Sequence, residues 1–264
     1  MNNLIANFPQ ILNFAQEYGL PLLKKRAILR EYLQSQILEI IYRQKVSADL
    51  FFVGGTSLRL LRGLDRFSED LDFDAPKLSK EDIKKIINFT SQKLKENNLN
   101  LILYQNDGAK KDYYELRFPN LLFDLKLSAN QSENLTIKLD FEFFWHEQER
   151  EVILFNRYGF LSRIVTKTLD QILVEKMAAY LGRAQTQARD LYDLVWLMSN
   201  GAKFDEKFAK ANKLSKNLIT KTKEKFKAEK KSLKAAKDKL RPFLLREENL
   251  EKIDFLEELL AKLS

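Results

Sequence analysis

Asp70 and Asp72, two residues apart in the run Phe67-Ser68-Glu69-Asp70-Leu71-Asp72-Phe73, are the side chains of this sequence best suited to chemistry. On a strand, positions i and i+2 point to the same face. Both carboxylates therefore aim into one place while Leu71 and Phe73 enter the core. Carboxylates so close repel each other unless a cation lies between them. Mg²⁺ fits, because it favours a few carboxylate oxygens plus substrate phosphates over an all-protein cage. Upstream, Phe51, Phe52 and Val53 read as a short apolar strand, Gly54-Gly55-Thr56 as a turn, and Ser57 to Gly63 as a helix. Glycine lets a phosphate come close to backbone amides, and a helix start offers N–H groups and a positive end to an anion. Phosphate on the turn and metal on the strand together make a nucleoside triphosphate site.

These elements need a scaffold. Residues 9 to 45 carry an apolar stripe at helical spacing through Ile28, Leu29, Leu33, Ile37, Leu38 and Ile41, which predicts a helix buttressing a catalytic sheet. Ser79 with Asp82 three residues on predicts a cap, and a helix from Lys80 to about Asn97. From Leu99 to Trp145 the period changes to two: Leu99 to Leu103, Tyr113 to Phe118, Leu121 to Leu127 and Leu135 to Trp145 read as strands, with turns at Asn106-Asp107-Gly108 and Ala129 to Asn134. In the last strand Lys138, Asp140 and Glu142 face away from Ile137, Leu139 and Phe141. If it lies beside the Asp70/Asp72 strand, Asp140 becomes a third carboxylate, able to ligate metal or accept the proton of an attacking hydroxyl. Asp124 is a competitor for that place. Arg59 and Arg62 either brace phosphates or lie on a solvated helix face.

Thr168 opens a helix in which Ile172, Leu173, Met177 and Tyr180 form the core face and Lys176 lies close enough to reach inward, adding positive charge where phosphate charge develops. A second helix begins near Gln187 and places Asp190 and Asp193 on one face. Each aspartate either acts at the site or pairs with Arg183 and Arg189. Lys203 to Lys239 is lysine-dominated, either an RNA-phosphate contact or the solvated face of a helical bundle, and Glu247 to Leu263 reads as a last amphipathic helix.

Composition narrows the chemistry. The chain has 264 residues, no cysteine and a single histidine, His146, which reads as a surface residue; thiolate zinc sites and Ser-His-Asp triads drop out. Its 45 basic against 37 acidic residues give +8, a balance that favours a polyanion such as RNA, though a lysine-rich proteome gives the same number. The start MNNLIANFPQ lacks a basic, then apolar, leader, and no apolar run approaches the roughly 20 residues that span a bilayer. A cytoplasmic protein with no membrane association is expected.

Val53-Gly54-Gly55-Thr56-Ser57-Leu58-Arg59 followed by Arg66-Phe67-Ser68-Glu69-Asp70-Leu71-Asp72-Phe73 resembles the AbiEii/AbiGii toxin family of nucleotidyltransferases, within the DNA polymerase β-like superfamily. The likeness continues at Ile137-Lys138-Leu139-Asp140 and from Ile172 to Leu194. Arg66 and Ser68 match the family's R-x-S-x-D-x-D pattern, Thr56 stands where many relatives have serine, and Glu175-Lys176 with Arg189-Asp190 to Asp193-Leu194 match its second signature. The resemblance implies an α+β protein: a polymerase-β-like domain with a mixed, mainly antiparallel sheet over residues 1–160, then a helical C-terminal domain over 161–264. It implies a Mg²⁺-dependent transfer of a nucleoside monophosphate from an NTP to an acceptor, with release of pyrophosphate. Gly54, Gly55, Thr56, Arg66, Ser68 and Lys176 would bind nucleotide. Asp70, Asp72 and Asp140 would hold metal, and Lys176 with Asp190, which is favoured ahead of Asp193, would complete the catalytic set. It further implies the toxin of a bacterial toxin–antitoxin or phage-defence pair with a separate antitoxin protein. RNA, such as the 3′ end of tRNA, is the preferred acceptor. The rivals are a protein hydroxyl as acceptor and a non-catalytic RNA-binding protein of the same fold.

Overall fold

The computed structural model describes residues 3–107, 112–214, 217–230 and 233–263. Gly108, expected in a turn, and Lys216 and Lys231 of the basic run lie outside them. The chain divides into two compact units. The first comprises Met1–Gly63, Phe67–Phe144 and Val152–Thr166; the second comprises Leu64–Arg66, Trp145–Glu151 and Lys167–Ser264.

The first unit begins with helices α1 (Asn3–Glu17) and α2 (Lys25–Tyr42), followed by β1 (Phe51–Val53), α3 (Gly54–Arg62), β2 (Leu71–Asp74) and α4 (Lys80–Glu96). Next come β3 (Ile102–Asp107), β4 (Asp112–Phe118), a single helical turn α5 (Leu121–Asp124), β5 (Leu135–Glu142), and a hairpin of β6 (Arg150–Arg157) and β7 (Phe160–Lys167). Five strands form one sheet in the order β1-β2-β5-β4-β3. Only β2 and β5 run parallel; the other pairs are antiparallel. A parallel pair needs a long crossover, and the chain between β2 and β5, with α4 and the β3–β4 hairpin, supplies it. The expected mixed, mainly antiparallel sheet is present.

Register decides which side chains face the core. Phe52 lies opposite Phe73, and Phe73 beside Phe141. Their rings form a ladder across three strands, with centroids 5.4 and 5.2 Å apart. Since alternate residues point to opposite faces, burying this ladder turns Asp72 and Asp140 the other way. Beneath the sheet Leu33, Ile37, Leu38 and Ile41 of α2 and Ile83, Ile86 and Ile87 of α4 are buried. The Ser79 cap forms as expected: its hydroxyl accepts from the Asp82 amide at 3.1 Å, and Asp82 Oδ2 accepts from the Ser79 amide at 3.0 Å.

Four local expectations are corrected and one element is added. Asn106 and Asp107, read as part of a turn, are the end of β3. The Gly-Gly-Thr segment is already the first turn of α3, not a turn before it. Leu121 to Leu127 is not a strand, because Asn120 adopts a left-handed conformation and turns the chain into α5, where Asp124 is exposed. The β6–β7 hairpin was not anticipated. Arg59 is neither a phosphate brace nor a solvated residue: its Nε donates to Glu31 Oε2 at 2.8 Å, and the pair is buried.

The second unit is helical, with α6 (Leu169–Gly182), α7 (Ala188–Ser199), α8 (Glu206–Ala211), α9 (Leu218–Glu229), α10 (Leu233–Leu240) and α11 (Leu256–Ala261). Thr168 caps α6 by accepting from the Gln171 amide. The expected last helix is mostly a 3-10 segment, Glu247–Phe255, and turns α-helical only at Leu256. Several lysines of the basic region are tied down. Lys225 donates to the carbonyls of Tyr180 and Arg183, each at 2.8 Å, closing the end of α6. Lys230 pairs with Glu257 and Lys237 with Asp254. No helix among the described residues is long and apolar enough to cross a membrane.

Candidate active site

Asp72 and Asp140 share one face of the first unit's sheet, and Asp70 lies immediately before β2, which begins at Leu71. Asp72 on β2 is the register partner of Asp140 on β5, and of Val53 on β1. The adjacency that a third carboxylate required is therefore met, and Tyr113 of β4 is the next residue in the same row. Asp140 is 6% exposed, whereas Asp70 and Asp72 are half-buried. Lys138, two residues before Asp140 on the same face, places its ammonium 2.9 Å from Oδ1 and 3.0 Å from Oδ2 of that carboxylate. Burial pulls the Lys138 pKa down, but bonding to Asp140 and the charge of Asp70 outweigh it and hold it above the ordinary lysine value.

The turn before the site is shaped around Asp72. Gly54 has φ of +76°, and a Cβ there would lie 2.1 Å from Asp72 Oδ2. Only glycine fits both the left-handed backbone and the close approach. The Thr56 hydroxyl is buried and donates to the Asp70 carbonyl; it fastens α3 to the segment that carries the aspartates. Gly55 is buried in the same turn. Gln34 of α2 holds the other end, donating to the carbonyls of Ser68 at 3.1 Å and Glu69 at 2.8 Å.

In the second unit the candidate residues converge on Asp193, which is fully buried. Arg66 meets it with a two-pronged fork, Nε to Oδ1 and Nη2 to Oδ2, each at 2.8 Å. Lys176 of α6 reaches Oδ2 at 2.7 Å. Burial alone would push the Asp193 pKa up, yet the two cations overcome it and hold the carboxyl below its ordinary value. Asp190, one turn earlier, pairs with Arg183. The expected arginine pairing thus forms at Asp190, while Asp193 bonds Arg66 and Lys176 in place of Arg183 or Arg189.

The comparisons decide the family. The model of the nucleotidyl transferase AbiEii toxin family, type IV toxin–antitoxin system, matches residues 36–261. The chain belongs to the AbiEii family. The match covers the carboxylate sheet, the Asp193 cluster and the helical C-terminal region together, so both signatures fall in one family and not in two fused pieces. The AbiEii chain is also similar in structure to JHP933 from Helicobacter pylori, at TM-score 0.56 and 23% identity over 89% of this chain and 92% of the other. A second H. pylori protein, provisionally assigned as a nucleotidyltransferase, matches at TM-score 0.56 and 24% identity over 89% of this chain and 95% of the other. These likenesses show the fold. A comparison with curated proteins finds no match.

Asp74 and Lys167 escaped sequence reasoning. Asp74 continues the acidic face as the register partner of Glu142, which the strand period already put on the Asp140 face, and the period of two that selects Asp72 also selects Asp74. Asp74, however, is 1% exposed, which sets it apart from the half-buried pair. Lys167 is fully buried, pairs with Glu175 of the Glu175-Lys176 motif, and lies 5.2 Å from the Trp145 ring. Its role depends on tertiary packing that no spacing shows. His146 is exposed as expected, its backbone clasped by the Asn212 side chain.

Among the described residues, no three acidic or imidazole groups are gathered as a preformed metal centre. The donor set still suits a hard divalent cation: carboxylate oxygens on adjoining strands, next to glycine backbone, with a cationic group already seated on Asp140. The Gly54 contact gives a first test. Gly54→Ala forces a left-handed alanine and displaces Asp72; the protein is expected to lose about 1–3 kcal/mol of stability, read as a lower melting temperature, together with its transfer activity. A variant that melts and reacts like the wild type would show that Asp72 does not need this turn.

Proposed function

We propose that this AbiEii protein transfers a nucleoside monophosphate from an NTP to an RNA hydroxyl, as the toxin partner of a cognate antitoxin protein. The observation that carries the reading is the register of Asp72 beside Asp140, with Gly54 packed on Asp72. Asp70, Asp72 and Asp140 would hold Mg²⁺, which when bound neutralises phosphate charge and acidifies the attacking hydroxyl. Asp140 would either share in holding that metal or accept the proton of that hydroxyl. The new bond joins the acceptor oxygen to the α-phosphorus, and the bond to the pyrophosphate oxygen breaks. The backbone at Gly54 and Gly55 would approach the phosphates, and the glycine at 54 leaves room for Asp72 beside it. Ser68 lies in the segment that α2 pins. Lys176 and Arg66 supply positive charge, oriented by Asp193, which acts as a positioning residue and not on substrate. Asp190 positions Arg183.

RNA is favoured by the net charge of +8 and by a cleft of about 270 Å³ at the start of α7, lined by Arg183, Arg189 and Lys239. Arg189 and Lys239 are exposed, as phosphate contacts require. The 3′ end of tRNA is the specific acceptor proposed. The test incubates the protein with each labelled NTP, Mg²⁺ and total cellular RNA, and resolves RNA from protein. Label in the tRNA band, dependent on Asp70, is expected. Label in a protein band would move the acceptor to a protein hydroxyl, and no label with any NTP would favour a binding role.

A further inference from the structure

We propose that Lys138 is a tethered counter-cation of the carboxylate site, holding Asp140 in the metal-free protein and competing with the divalent cation for it. The inference rests on the metal-binding reading above.

Asp140 is almost fully buried, and a buried charge needs a partner. Lys138 supplies it from the same face of the same strand, straddling both carboxylate oxygens at 2.9 and 3.0 Å. The ring of Tyr113, register partner of Asp140, lies 4.4 Å from the ammonium and attracts it through its π face. Asp70 adds a further attraction. The ammonium thus stands in the field of two of the three proposed metal ligands. Unlike Asp140, the Lys138 side chain is 31% exposed, so it can swing into water without stranding a charge in the core. An ammonium and a dication cannot both take the Asp140 oxygens. Metal binding must therefore include the cost of breaking this pair. The consequence is an apo site that stays folded without metal and that binds metal more weakly than three carboxylates alone would.

The experiment titrates Mn²⁺ into the nucleotide-free, full-length protein and follows the free-ion signal by electron paramagnetic resonance, with melting temperatures recorded with and without Mg²⁺. Lys138→Met is expected to tighten Mn²⁺ binding by about tenfold, the scale of removing one partly exposed charge from beside a dication. Its metal-free melting temperature should fall, and Mg²⁺ should recover more of it than in the wild type. Asp140→Asn should weaken Mn²⁺ binding. Lys138→Gln serves if the methionine variant does not fold. Wild-type binding with no change, or a loss, in the Lys138 variants would overturn the counter-cation and leave the metal site standing. Absence of Mn²⁺ binding in the wild type would remove the metal site and the inference together.

Discussion

Asp72→Asn lowers nucleotidyl transfer by about 10³-fold or more, the several kcal/mol that a metal's charge stabilisation supplies, and leaves the melting temperature unchanged or raised. The amide keeps the shape of the side chain and its fit beneath Gly54, so the packing of α3 on β2 survives. What disappears is one negative charge from a site that also carries Asp70 and Asp140. In the absence of metal those charges repel, and removing one relieves the repulsion; a residue held for structure would show the opposite sign. Asp70→Ala gives the same pairing of lost transfer and retained fold. The measurement is incorporation of labelled NTP into RNA, alongside thermal unfolding of each variant. Full transfer by both variants would remove the carboxylates from the reaction. Joint loss of transfer and of folding would make them structural.

The local geometry of this site was legible because a strand has a strict period. Counting in twos along a strand selects Asp70, Asp72 and Asp140, and the ladder of Phe52, Phe73 and Phe141 fixes the phase of that count physically. The sequence could not show that β5 lies beside β2. That adjacency crosses about seventy residues, and the crossover includes α4 and a hairpin whose place is set by packing. The helix caps at Ser79 and Thr168 were legible for the same local reason, since each is a hydrogen bond spanning three residues.

The errors have two origins, one in local backbone conformation and one in partners that only the fold supplies. Leu121 to Leu127 alternates enough to imitate a strand, but the left-handed Asn120 starts a helical turn instead. The β6–β7 hairpin carries a readable turn, Tyr158-Gly159, with φ of +52° and +81°; both central residues are left-handed, as a tight two-residue hairpin demands. Arg59 defeated both of its readings because its partner, Glu31, sits on a different helix and the pair buries itself between apolar side chains. The different partners of Asp190 and Asp193 are out of reach of the sequence for the same reason. Identical residues at helical spacing differ only in what the fold brings to them.

Asp193→Ala is expected to destabilise the second unit by about 3–5 kcal/mol, the scale of leaving buried charges without their partner. Arg66 and Lys176 both lose the oxygen they share, and Arg66 is itself only 3% exposed. At roughly 2–4 °C per kcal/mol for a chain of this size, the melting transition drops by about 10 °C. Removing Asp193 and Arg66 together, as Asp193→Leu with Arg66→Met, should cost less than Asp193→Ala alone, because no buried guanidinium is stranded. The pair also carries a pH signature. The folded-state pKa of Asp193 is depressed below the ordinary 3.8, so the unfolded chain takes up the proton first as pH falls. Its contribution is fully present above the ordinary carboxylate range and is lost as pH drops through that range towards the depressed value. Wild-type stability therefore declines more steeply with acid below about pH 4 than that of the Asp193→Ala protein. Thermal unfolding of both proteins across that interval reads the difference. Parallel curves, or equal melting temperatures at neutral pH, would mean that Asp193 holds neither Arg66 nor Lys176 in place.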